Sequence, residues 1–147
     1  MKIAVGSDMK THVTDVVIDE LRHRGHHVTV FGALLETPAM WSKLALDVAE
    51  KVAKKEFDQA VLFCWTGTGI SLAANKVKGI RAALCQDAQT AEGARKWNDA
   101  NILCMSLRAT SEEVAKEMLD AWFSNAPSAD EEDLACLRYL EEWEAGQ

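Results

Sequence analysis

The sequence predicts an α/β fold in which a five-stranded parallel sheet lies between two helical layers. Three observations lead there. Short apolar runs alternate with longer stretches of helical periodicity, five times in succession, which is the pattern of repeated βα units. The third run, VLFC, passes straight into a glycine-rich turn and then a helix start, a junction typical of doubly wound sheets. The chain has 147 residues, 48% hydrophobic and 27% charged, which suits one well-buried domain over residues 1–147.

The elements follow in order. Ile3 to Gly6 reads as the first strand. Val13, Val16, Val17 and Leu21 then recur at helical spacing, and Gly25 closes that helix. HVTVFG, alternating and β-branched, is the second strand. A loop around Glu36, Thr37 and Pro38 leads to a helix from about Trp41 to Lys55. VLFC is the third strand, and a helix near Ile70 to Asn75 follows its glycine turn. IRAALC is the fourth strand, with a helix near Ala88 to Trp97 after it. NILCMS is the fifth. Thr110 or Ser111, followed by two acids, caps a helix that runs to about Phe123. Beyond Pro127 an acidic helix is expected over residues 128–145, with Leu134, Leu137 and Leu140 on one side.

Charge and cysteine usage narrow the function. Sixteen basic against 23 acidic residues leave a net charge of −7. With no basic stripe, nucleic acid and anionic membrane are poor partners. No apolar run approaches the roughly 20 residues that span a bilayer. MKIAVGSD turns polar too early for a secretory signal. The four cysteines form no CxxC and stand at no zinc-ligand spacing from the histidines. Three of them, Cys64, Cys85 and Cys104, end apolar runs, as reduced core thiols of a cytoplasmic protein do. His23, His26 and His27 cluster at a turn and read as surface residues. His12 stands nearer the expected mouth, where acid–base help is conceivable.

In such sheets ligands bind beyond the carboxyl ends of the strands. The segment there with the most chemistry is Cys64-Trp65-Thr66-Gly67-Thr68-Gly69-Ile70-Ser71. Glycines let backbone N–H groups converge on an anion, and a helix N-terminus adds partial positive charge. Such surroundings favour thiolate over thiol. A thiolate beside amide donors suits proton removal next to a carbonyl, with the amides holding the enediolate. The spacing matches neither a P-loop nor a dinucleotide fingerprint. Taken alone, it also fits a structural turn that holds a core cysteine.

Four segments carry a resemblance: GSD (Gly6 to Asp8), CWTGTGISLAANK (Cys64 to Lys76), GIRAALC (Gly79 to Cys85) and ARKWNDANIL (Ala94 to Leu103). In this order, over about residues 1–125, they resemble the ribose-5-phosphate isomerase B family and its galactose-6-phosphate isomerase relatives. The resemblance implies a Rossmann-like three-layer α/β/α fold. It also implies aldose–ketose isomerisation of a sugar or sugar phosphate without metal or other cofactor. A homodimer, or a dimer of dimers, with its site at the subunit interface follows from it too.

Carried over residue by residue, the resemblance makes Cys64 the base that moves the proton between C1 and C2. Gly67, Thr68, Gly69, Ile70 and Ser71 match the loop whose amides hold the enediolate oxygen. Thr66 matches a threonine implicated in ring opening. Asp8 and Asn98 match substrate-binding residues, and Arg108 stands where a phosphate-binding arginine is expected.

The chain also departs from the family pattern. Met9 replaces a histidine, Trp65 replaces a glycine, and Trp97 stands at the position of the ring-opening acid. Trp41-Ser42 takes the place of a Tyr-Pro. The C-terminal phosphate clamp is replaced by ADEEDLACLR, which leaves Arg138 as its one arginine beside Glu131, Glu132 and Asp133. The acids also suit the start of a solvated helix. Trp65 and Trp97 fit either pocket walls or ordinary packing.

The enolisation half of the site is kept while the ring-opening and phosphate-binding halves are removed. That points to an isomerase with a changed substrate, such as an open-chain tetrose or tetrulose. A non-catalytic module that binds a small anion or nucleotide on the same fold is the alternative.

Overall fold

A computed structural model describes residues 1–147. Strands β1 (Lys2–Ser7), β2 (His27–Gly32), β3 (Gln59–Cys64), β4 (Ala82–Leu84) and β5 (Ile102–Ser106) form one parallel sheet in the order β2-β1-β3-β5-β4. The helices are α1 (His12–His23), α2 (Trp41–Ala53), α3 (Thr68–Ala74), α4 (Ala88–Asn98), α5 (Glu112–Phe123) and α6 (Glu131–Ala145).

Side chains alternate across each strand, so the sheet has two buried faces. Ile3, Val5, Val61, Phe63, Leu103 and Met105 meet Val17, Leu21, Ala91, Met118 and Trp122 of α1, α4 and α5. Ala4, Leu62, Cys64, Ile102 and Cys104 meet Leu44, Val48, Ile70 and Ala73 of α2 and α3. Trp122 is fully buried and donates its indole N–H to Gln59 Oε1 at 2.8 Å. Truncating an aromatic of that kind to alanine costs about 3–5 kcal/mol.

Helix ends follow local chemistry. The N–H groups of Gly25 and His26 return to the carbonyls of Arg22 and Leu21, which closes α1. Asp87 accepts from the Thr90 N–H and opens α4, and Ser111 accepts from Val114 to open α5.

Several boundaries differ from the sequence reading. A 3-10 turn, Ala33–Leu35, occupies the start of the expected loop. The fourth strand is shorter than the apolar run Ile80–Cys85. The Arg81 N–H is taken by Asn101 Oδ1 just before the strand, and Asn75 pairs with both backbone groups of Ala82 on the free edge of β4. The acidic helix begins at Glu131, after Ser128 has donated its N–H to Lys96 O at 2.8 Å. None of its residues is buried. Its far end is held by Glu144 accepting from the Gly79 N–H and by Lys78 Nζ donating to Gln147 O.

Candidate active site at the carboxyl edge of the sheet

From β1 the chain moves outward to β2, whereas β3 takes the other side of β1. The crevice between β1 and β3 is therefore the switch point at which doubly wound sheets bind ligands. Asp8 leaves the end of β1 and Cys64 ends β3.

Ser7 shapes the first of these. Its hydroxyl donates to Met9 O and accepts from the Met9 N–H at 3.2 Å, folding the chain back right after the strand. Asp8 is left half-buried, with Oδ1 enclosed and without a hydrogen-bond partner. Burial pushes its carboxyl above the usual carboxylate range, and hydrogen bonding from its own backbone only partly opposes this. A buried acceptor without a donor is costly unless a ligand supplies one.

The end of β3 is fixed by the turn after β5. Leu107 N–H donates to Cys64 O at 2.9 Å, and Arg108 N–H to Trp65 O at 3.0 Å. Ser106 Oγ adds a second bond to Trp65 O at 2.9 Å. Cys64 itself is 5% exposed, on the face toward α2 and α3. Gly67 then turns with φ of +79°, and a Cβ there would fall 2.5 Å from Leu84 Cδ1 and 3.1 Å from the Met105 carbonyl carbon, so any other residue is strained there.

Because Gly67 has no side chain to cap α3, the first amides of that helix point outward unsatisfied. Thr66 and Thr68 share a hydroxyl–hydroxyl bond of 2.7 Å beside them, and Ser71 Oγ donates to Thr68 O. Arg108 is exposed and makes no ion pair, so its guanidinium is free to meet an anion. Met9 and Trp65 are half-exposed at the rim.

One chain thus gathers Asp8, Met9, Cys64, Trp65, Thr66, Gly67, Thr68, Gly69, Ile70, Ser71 and Arg108 at the carboxyl edge. Trp97, Asn98 and Arg138 lie elsewhere. Helix α4 runs against the strands, so its last residues sit at the amino edge. The Trp97 indole folds over Gly93 of its own helix. Asn98 lines a groove of about 510 Å³ whose other walls include Ile80, Arg81, Leu137, Leu140 and Trp143. Arg138 is exposed on α6 and bonds Glu131 Oε1 at 2.5 Å.

The other groups weighed from sequence are occupied or inert. His12 Nε2 lies 2.9 Å from Glu112, whose carboxyl is held below the usual range first by that bond and then by Lys116. The helices that carry this pair, α1 and α5, cover the face opposite the Cys64 side chain. Burial pushes the Cys85 thiol up to about 12 and the Cys104 thiol higher still. Cys136 is exposed on α6. No cluster of His, Cys, Asp or Glu has the arrangement of a metal site. Sequence reasoning missed Ser7 as the shaping residue and the packing of Trp41 on Gly69, a tertiary contact that no local pattern encodes.

Residues 3–135 match the Ribose/Galactose Isomerase family. Ribose-5-P isomerase B of Listeria innocua is 36% identical over 126 residues, covering 85% of each chain. D-erythrulose-4-phosphate isomerase of Pectobacterium atrosepticum is 34% identical over 125 residues, covering 83% of this chain and 82% of the relative. The solved ribose-5-phosphate isomerase B of Clostridium thermocellum superposes with a TM-score of 0.91 at 35% identity, over 99% of each chain.

Proposed function

We propose, for a chain that belongs to the ribose/galactose isomerase family and is by that membership an aldose–ketose isomerase, that the substrate is an open-chain four-carbon sugar phosphate and Cys64 the base. The observation that carries this reading is Cys64 at the end of β3, on the face of the sheet that α2 and α3 cover and just before the uncapped start of α3.

In the forward direction the Cys64 thiolate takes the proton from C2 of the aldose. The C–H electron pair becomes the C1–C2 double bond, and the carbonyl oxygen becomes the enediolate oxygen. Free amides of Thr68, Gly69 and Ile70 receive that charge, as preorganised donors do in an oxyanion hole. Cys64 returns the proton to C1, and the hydroxyl proton passes from O2 to O1, a relay assigned to Thr66. Asp8, short of a donor at Oδ1, accepts from a substrate hydroxyl. Arg108 holds the terminal phosphate.

The four-carbon length rests on chemistry at Trp97. An indole cannot serve as a ring-opening acid. A tetrose esterified at O4 has no hydroxyl left to close a five-membered ring, so it needs none. A relative of this chain that acts on such a compound by name supports the reading.

Asn98 and Arg138 reach a Cys64 site when a second copy presents its amino edge, which makes the working unit a homodimer. Erythrose 4-phosphate and ribose 5-phosphate, each assayed for conversion to its ketose, test the substrate. Turnover of the tetrose with much the higher kcat/KM is expected; a preference for the pentose would overturn the assignment.

A further inference from the structure

Helix α2 begins at Trp41, and its first turn is pressed against the sheet. Leu44 lies so close to Gly6 and Gly32 that added Cβ atoms would stand 3.2 Å and 3.0 Å from its side chain. That close approach carries Trp41 to the carboxyl edge, where its ring meets Gly69. A Cβ on Gly69 would lie 3.1 Å from Cδ2 and Cε3 and 3.2 Å from Cζ3 of the indole. The ring therefore covers the Cβ side of Gly69, the second residue of α3, in the first turn of that uncapped helix.

Trp41 remains 43% exposed, so a large part of the indole is open to a ligand. Indole is large and rigid and loses little conformational freedom on contact, which suits it to act as a wall. A substrate whose oxygen is held by the amides of that first turn has its carbon chain running beside this ring.

Building on the isomerase reading, we infer that Trp41 sets the length of sugar the site accepts. Its indole occupies the space that an additional CHOH unit needs, and its exposed part packs on the C–H side of a four-carbon chain. Gly69 is the counterpart of this arrangement, because a Cβ there, 3.1 Å from the indole, presses the ring outward by a few tenths of an ångström.

The test compares kcat/KM for erythrose 4-phosphate and ribose 5-phosphate in the wild type, Trp41→Phe and Trp41→Ala, with circular dichroism as a check on folding. Trp41→Ala is expected to raise the pentose-to-tetrose ratio by about tenfold, as the space of one such unit does in other pockets, and Trp41→Phe by less. Gly69→Ala should lower tetrose turnover in the wild type and do so far less in Trp41→Ala, because the clash is then gone. An active wild type whose ratio is unmoved by both Trp41 variants overturns the length role alone. A wild type that turns over neither sugar overturns the substrate reading on which it rests, and the length role with it.

Discussion

The two edges of the sheet are built in opposite ways. At the carboxyl edge, the ends of β3 and β5 are tied together by backbone and serine hydrogen bonds, the end of β1 is folded back by Ser7, and reactive groups sit on that frame. At the amino edge, α6 is anchored at its two ends and arches over a groove, with no residue of its own buried. A 15-residue helix that buries nothing gains little from its own hydrogen bonding. The carboxyl edge thus has a frame tied within the chain, whereas the amino edge carries a helix with none of its residues fully buried. In the homodimer proposed above, the amino edge of one copy meets the carboxyl edge of the other and completes its site.

The sharpest way to break this contrast is at the carboxyl edge. Cys64→Ala is expected to lower kcat by about 10³-fold, in the range of a lost proton-transfer group, while melting close to the wild type. Next comes the sharing of a site. Cys64→Ala and Asn98→Ala chains, each nearly inactive, should recover about a quarter of wild-type activity when unfolded together and refolded, since mixed dimers carry one intact site. No recovery would confine the site to a single chain.

Gly67→Ala should cost about 1–3 kcal/mol through its positive φ and the contact with Leu84, and take most activity with it. Ser106→Ala, which frees the Trp65 carbonyl from one of its two bonds, should cost about 1 kcal/mol and lower kcat several-fold. Both are read from urea unfolding and initial rates.

The smallest effect is also the most diagnostic. The Asp8 carboxyl is raised in the fold, so its ionised form is disfavoured there relative to the unfolded chain. Stability is lost as pH rises through the carboxylate range, and nothing is lost below it, where both states hold the proton. Asp8→Asn should therefore melt slightly above the wild type at pH 7, with the gap closing toward pH 3, while activity falls. Gained stability with lost activity marks a residue kept for its ligand.

Much of the fold is written locally. Val61 to Cys64 and Ile102 to Met105 are uninterrupted apolar runs, and both lie in buried interior strands. The helices α4 and α5 announce themselves by Asp87 and Ser111 at their caps. Legibility ends where side chains from distant units decide. Asn101 takes the Arg81 N–H just before β4, and Asn75 covers the free edge of the strand at Ala82; the apolar run through Ile80 hides both. The leucines of α6 show its helical period, but their failure to be buried depends on a groove formed by α3, β4 and α4.

In the candidate site, Cys64 to Ser71 is readable because strand, glycine turn and helix start are contiguous. The distance between that segment and Asn98 is not readable, since it follows from the opposite directions of a strand and the helix packed on it.

In the proposed reaction the Cys64 thiol carries the substrate proton, so incubating the protein with erythrose 4-phosphate in deuterium oxide and following C1 and C2 by NMR reads that step itself. Wild type should place deuterium at the carbon that receives the returned proton, and Cys64→Ala should place none above the uncatalysed rate. Deuterium entering at the wild-type rate in Cys64→Ala would contradict the account.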